Sequence, residues 1–272
     1  MRQPYFFKNG ASMKDIILNP DERLDKVNED ITIIQKKNGL TFGTDAYLLA
    51  AFMKEQRNAK AIELGAGTGI ISLLSASKGR FAHITAVEIQ KEFSELCQRN
   101  ASLNSLSEII TTLNRDVRDI TAAEIGGEAD VVFSNPPYMK RESGAKNEHE
   151  IKYIARHEVC GTIADFCLSA KRLLKHGGRF YCVYRPDRLS ELLVAMSGNM
   201  IEPKRITLVS ADLHTPPSIA LVMGVKGGAP SMTLTRNLYL YDSSDDKHAR
   251  SRKMSPDAER IYETMSFEDF EK

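Results

Sequence analysis

The chain has 272 residues, 42% of them hydrophobic and 27% charged, which is enough for one large buried core or a core with a small appendage. Its 37 basic and 36 acidic side chains nearly cancel, so any contact with nucleic acid must come from local patches and not from overall charge. No apolar run approaches a membrane span, the opening MRQPYFFKNGASMKD lacks a signal-peptide core, and Cys97, Cys160, Cys167 and Cys182 form no CxxC pair; a cytoplasmic chain with reduced thiols and no metal site is expected.

Residues 1–55 contain ERLD, a strand-like ITIIQKK and FGTDAYLLAAFMK, which reads as a capped helix. That is too little for an independent domain, and a lid or platform against a larger unit is expected. From Lys60 the pattern becomes regular. KAIEL reads as a strand, GAGTG as a glycine loop, IISLLSASK as a helix, HITAVEI as a strand and QKEFSELCQRNASLN as an amphipathic helix. IITTLN and ADVVF read as strands, and a helix from Ile163 to Lys175 stops at His176 and Gly177. GRFYCVY is a strand, RPDRLSELLVAMSG a helix, and KRITLVS and SIALVMGVK are two closing strands, at least one of them antiparallel for want of a helix between them. Alternation at this spacing predicts a doubly wound, mostly parallel, seven-stranded α/β sheet over residues 56–242. Residues 243–272 hold the basic KHARSRK and a short helix SPDAERIYETM with Ser255 as cap and Pro256 at its first position. They read as a solvated arm or, more sharply, as one that touches nucleic acid. Removing such an arm would raise the Michaelis constant for the nucleic acid more than it lowered turnover.

Chemistry concentrates where strands end. Gly65, Gly67 and Gly69, with Ala66 between them, allow a tight turn and close approach of a ligand. The spacing is GxGxG and not the GxGxxG of nicotinamide enzymes, and Glu63 just before it suits a cationic ligand better than a phosphate. Glu88, followed by Ile89, ends the second strand of the regular region, where a carboxylate can accept from a ribose diol. Asp116 and Val117, after the third, can meet the amino and ring nitrogens of adenine. The fourth strand ends on Asn135, Pro136, Pro137 and Tyr138, which alone would be no more than a strand-stopping turn.

Together these residues resemble the class I S-adenosylmethionine-dependent methyltransferases. Glu63 to Gly69 resemble their first motif, Glu88 the ribose-binding acid, Asp116 the adenine-binding acid, and NPPY the motif of amino-group methyltransferases. The resemblance implies methylation of a nitrogen whose lone pair is delocalised. Asn135 would accept one N–H through its side-chain oxygen, the Pro136 carbonyl the other, and Tyr138 would stack on the target ring.

The stretch ERLDKVNEDITIIQKKNGLTFGTDAYLLAAF and the later KGGAPSMTLTRNLYLYD resemble the bacterial tRNA1(Val) (adenine-37-N6)-methyltransferase family. That resemblance implies a tRNA partner, the valine tRNA anticodon loop, and places Thr44 and Asp45 near the methionine end of the cofactor, with Leu48 and Leu49 as helix core. Lys140, Arg141 and Arg156, in the long segment after Tyr138, would contact substrate phosphates; the acids among them fit a mixed solvated loop equally well. A release-factor glutamine N5-methyltransferase uses NPPY in the same way, but normally has a separate helical domain before its first motif. A ribosomal RNA adenine or guanine N-methyltransferase, or a non-catalytic S-adenosylmethionine-binding RNA module, are further readings. Oligomeric state is not legible.

Overall fold

Burial alternates along the strands with period two and splits the apolar residues between two faces of one sheet. In β3 (Gln56–Leu64) Ala61 faces one cluster, while Ile62 and Leu64 face the other. In β6 (Ala129–Ser134) Val131 and Phe133 oppose Val132, and in β7 (Leu174–Tyr184) Tyr181 and Val183 oppose Phe180 and Cys182. The computed structural model describes residues 17–38, 43–137, 161–242 and 252–270. With β1 (Glu22–Lys26), β2 (Thr32–Lys36), β4 (Phe81–Glu88), β5 (Ile110–Asn114), β8 (Ile201–Ser210), β9 (Ile219–Lys226), β10 (Thr233–Leu234) and β11 (Leu238–Tyr239), the strands form a two-stranded hairpin and a nine-stranded sheet.

The large sheet runs β10-β8-β9-β7-β6-β3-β4-β5, with β11 also on β8. Strand β9 is antiparallel to both β7 and β8, so the antiparallel member expected among the last two strands is β9. The remaining pairings are parallel. The seven expected strands are all present; β10 and β11 are two-residue additions on the β8 edge that no alternating pattern announces.

Helices α1 (Thr44–Phe52), α2 (Ile70–Ser77), α3 (Lys91–Leu103) and α6 (Pro256–Thr264) cover one face. Helices α4 (Ile163–Leu173) and α5 (Leu189–Gly198) cover the other. The sequence predicts α4 to run to Lys175; it ends at Leu173, and β7 begins at once. Leu174 is already extended, with φ −77° and ψ 139°, and pairs with Ala129. Gly177, with a left-handed φ of 76°, lies inside the strand, in the register irregularity between the pairs Ala129–Leu174 and Val131–Arg179.

The β1–β2 hairpin docks on α3 through side-chain amides that imitate a strand edge. Asn100 accepts from the Ile34 N–H at 2.7 Å and donates to the Ile34 carbonyl at 3.1 Å, and Asn104 treats Thr32 likewise at 3.0 and 2.8 Å. Residues 255–270 are not an arm: Ala258, Ile261, Met265, Phe267 and Phe270 are buried in the same cluster as α1. An amphipathic helix with an apolar stripe has to bury it, and this one lies on α1. Among the described residues no helix is long and apolar enough to cross a membrane. Cys97, Cys167 and Cys182 are buried free thiols, and burial pushes Cys167 up to about 12; Cys160 lies outside the described residues.

Candidate active site

The order of strands reverses beside β3, which has β4 on one flank and β6 on the other. Ligands bind open α/β sheets in the crevice beyond the carboxyl ends of the strands at such a point. Register brings the motif residues to one rim: Leu64 is level with Val87, Glu63 with Phe133, and Glu88 with Asn114. Asn135, one residue past β6, therefore stands beside Gly65, one residue past β3. The Ser134 hydroxyl ties the two ends together by donating to the Leu64 carbonyl at 2.7 Å.

The loop folds back on β4. Gly65 and Ala66 N–H both donate to the Val87 carbonyl at 2.9 Å. Two glycines matter for different reasons. Gly69 has a φ of 84°, and a Cβ there would lie 2.4 Å from the Cys97 sulfur, so it permits α2 to start against α3. Gly67 has a φ of 55° and a Cβ there would meet nothing within 4 Å, so its backbone faces open space. Thr68, whose carbonyl accepts from Asn100 Nδ2 at 3.0 Å, couples the loop to the residue that docks the hairpin.

Glu88 is buried at the rim, accepting from Gly67 N–H and Gln90 N–H at 2.8 Å each. Burial raises its pKa, and those amide donors pull it back toward the ionised form. Ile89 is half-buried, and its carbonyl and that of Glu88 each accept from Asn114 Nδ2 at 2.8 Å. Asn114 was not singled out in the sequence; its position level with Glu88 became visible only through the parallel register.

Glu63 is placed differently from the sequence expectation. It is 1% exposed, accepts from the Ser72 N–H at 3.1 Å and from the Ser72 hydroxyl, and burial pushes its pKa up to about 8. It anchors the first turn of α2 from inside the core, where burial favours its protonated form. Asp116 is held by its neighbour, since Arg118 Nε donates to both carboxylate oxygens at 2.9 Å; that bond lowers its pKa. Val117 is buried, and its carbonyl accepts from the Ser169 hydroxyl and from Arg172 at 3.0 Å, so the turn after β5 is tied to α4.

At Asn135 the side chain is oriented. Its Nδ2 donates to Asp45 Oδ2 at 3.0 Å, across 90 residues of sequence. Asp45 is in the first turn of α1, where a carboxylate favours the helix N-terminus, and its Oδ1 accepts from the Ala46 N–H at 2.9 Å. With Nδ2 turned to Asp45, the Asn135 oxygen is left for another donor. Thr44 is exposed, while Leu48 and Leu49 are fully buried. Pro136 is buried and Pro137 half-buried. Tyr138, Lys140, Arg141, Arg156 and most of KHARSRK lie outside the described residues.

The methyltransferase small domain family matches residues 36–200, more than half of the chain. The chain belongs to this methyltransferase family. Its methyl donor is S-adenosylmethionine, and a glycine turn that leaves the backbone at Gly67 open, beside a buried acid at the end of the adjacent strand, is a fitting cradle for it. A curated protein of Porphyromonas gingivalis, named tRNA1(Val) (adenine(37)-N6)-methyltransferase, is 28% identical over 181 residues, 64% of this chain and 70% of that one. Among solved structures, a predicted O-methyltransferase from Agrobacterium tumefaciens superposes with a TM-score of 0.65 at 22% identity, over 82% of this chain and 97% of its own. TYW2 of M. jannaschii, solved in complex with AdoMet, gives a TM-score of 0.52 at 14% identity, over 77% of this chain and 87% of its own. These likenesses show the class I methyltransferase fold. Among the described residues no group of three or more His, Cys, Asp or Glu side chains could hold a metal ion.

Proposed function

We propose that this chain methylates the exocyclic N6 amine of an adenosine in tRNA, at position 37 beside the anticodon of the valine tRNA. The observation that carries the reading is the Asn135 side chain, held at the switch point of the sheet with its nitrogen on Asp45 and its oxygen left to accept. The name of the Porphyromonas gingivalis relative supports the choice of adenine in tRNA.

In this reading Gly65, Ala66, Gly67 and Gly69 let the cofactor lie against backbone, Glu88 accepts from its ribose and Asp116 meets its adenine. Ile89 and Val117 flank those rings, and Thr44 and Asp45 border the methionine end. S-adenosylmethionine, when bound, supplies an electrophilic methyl group on a sulfonium. Asn135 Oδ1 accepts one N–H of the target amine and the Pro136 carbonyl accepts the other. Proline lacks an N–H but keeps its carbonyl, and Pro137 stiffens the turn that aims it. Two acceptors at fixed angles favour a pyramidal nitrogen, and they bind the positive charge that develops there better than the neutral ground state. Tyr138 stacks on the target base, which contributes ~1–3 kcal/mol for a nucleic-acid ring. The base leaves its stack to reach the site, at a cost of only a few kcal/mol in a partly single-stranded loop. Lys140, Arg141 and Arg156 contact phosphates around it, so binding weakens with added salt.

The test is mass spectrometry of nucleosides after incubation with S-adenosylmethionine and separate pools of tRNA, ribosomal RNA and release factor. N6-methyladenosine confined to valine tRNA is the expected result. A methylated release-factor glutamine, or methylated ribosomal RNA with tRNA untouched, would sink the substrate assignment and leave the methyltransferase chemistry in place.

A further inference from the structure

We propose that the C-terminal helix α6 is a positioning element of the methyl-transfer site, with Tyr262 acting through Tyr47 and the start of α1, which carries Asp45, to fix the side-chain amide of Asn135. The inference rests on the proposed role of Asn135 as acceptor for the target amine.

The contacts form a continuous path. Tyr262 stacks on Tyr47 with ring centroids 4.5 Å apart and an interplanar angle of 11°. The Tyr47 hydroxyl donates to the Tyr262 carbonyl at 2.7 Å. Tyr47 lies two residues after Asp45 in α1, so the stack and this bond hold the segment that carries Asp45. Asp45 in turn holds Asn135 Nδ2 at 3.0 Å. A side-chain amide presents either its oxygen or its nitrogen to a ligand after a half-turn. Only one orientation offers an acceptor to an amine, and Asp45 selects it because its oxygen accepts from the amide nitrogen.

Two further features confine this path. Helix α6 is pinned at both ends. Ser255 caps it by accepting from the Ala258 N–H at 3.1 Å, and its hydroxyl donates to the Tyr239 carbonyl at 2.5 Å. At the other end Arg80, buried, donates to the Met265 carbonyl at 2.7 Å and also to the Met53 carbonyl at the end of α1. One guanidinium thus joins the two helices at their C-terminal ends, and Tyr262, in the last turn of α6, meets Tyr47 near the start of α1. Gly43 supplies the room that Asp45 needs: its φ of −106° is ordinary, and a Cβ there would lie 2.7 Å from Asp45 Oδ1. A side chain there would disturb the carboxylate without straining the backbone.

The experiment compares wild type with Tyr262→Ala, Tyr262→Phe and Gly43→Ala. Two readouts are taken. One is hydrogen exchange of the Asn135 side-chain NH2, observed by NMR in protein labelled at asparagine and assigned by its loss in Asn135→Ala. The other is kcat against the KM and calorimetric Kd for S-adenosylmethionine, with tRNA as acceptor. Tyr262→Ala and Gly43→Ala should speed exchange of that amide and lower kcat about 10- to 100-fold, the scale of a small misplacement of a reacting group, while Kd for S-adenosylmethionine stays within about two-fold. Tyr262→Phe, which keeps the stack, should stay near wild type. If Tyr262→Ala does not fold, Gly43→Ala decides. Wild-type exchange in Gly43→Ala, or in a folded Tyr262→Ala, overturns the proposal, as does an unchanged kcat. If wild type transfers no methyl to tRNA, the substrate reading falls, and the exchange measurement still settles the positioning role.

Discussion

The glycine loop after β3 and the C-terminal helix α6 reach the same site by opposite routes. The loop is local: Gly65 to Gly69 follow directly on the strand, and their hydrogen-bond partners sit at the end of the adjacent strand. Helix α6 meets α1 across 215 residues of sequence, and it reaches the site only because an aromatic pair and a buried arginine hold it on α1. The loop needs residues with special backbone freedom, so it is marked in the sequence. The helix needs only an apolar stripe and one tyrosine, which hundreds of surface helices also have. A functional region without unusual residues is easily taken for a terminal appendage.

Deleting residues 255–272 separates the two roles most sharply. As an arm, the segment could be removed with its main effect on RNA binding. As part of the core, its loss exposes Ile261, Met265, Phe267 and Phe270 together with the α1 surface beneath them. At about 1.5–3 kcal/mol for each large buried side chain, the total exceeds about 5 kcal/mol and approaches the whole stability of a typical domain. Urea unfolding should show a much lower midpoint or no cooperative transition. An unchanged midpoint with a raised KM for RNA would restore the arm.

A smaller effect should come from the loop side of the comparison. Glu88→Ala removes a carboxylate that accepts from the loop at Gly67 and, in the proposed reading, from the ribose. Hydrogen bonds to a charged group contribute roughly 1.5–3 kcal/mol, so S-adenosylmethionine should bind about 10- to 100-fold more weakly by calorimetry. Unchanged affinity would take Glu88 out of the site and reduce it to a loop anchor.

The smallest effect per pH unit concerns Glu63. Its pKa is pushed up to about 8 in the folded protein, above its ordinary value of 4.5. Below about pH 4.5 both folded and unfolded states keep the proton, and Glu63 adds no pH dependence. Between 4.5 and 8 the unfolded chain loses it and the folded protein keeps it, so stability falls as pH rises; above about 8 the slope vanishes. The contribution is at most ~1.4 kcal/mol per pH unit. Glu63→Gln should flatten that part of the stability–pH curve. Glu88, raised in the same direction, leaves a residual slope. A curve for Glu63→Gln that superposes on wild type would show Glu63 to be ionised in the folded protein.

By itself the sequence determined the alternation of strands and helices, the glycine turn, and the acids and NPPY at successive strand ends. These are legible because period-two and helical patterns, left-handed glycines and strand-stopping prolines are each demanded by local geometry. Locally ambiguous signals are the ones the structure adds to: Gly177 reads as a helix stop and lies inside a strand at a register irregularity, and Glu63 reads as a cation partner and is buried against Ser72. What only the tertiary structure decided were the long-range pairings. Asn114 beneath Glu88, Asn100 between the hairpin and Thr68, Asp45 on Asn135, and Tyr262 on Tyr47 are ordinary residues with no local requirement to betray them. Their roles arise from parallel register and from two helices packed side by side, which bring together side chains that no sequence spacing connects.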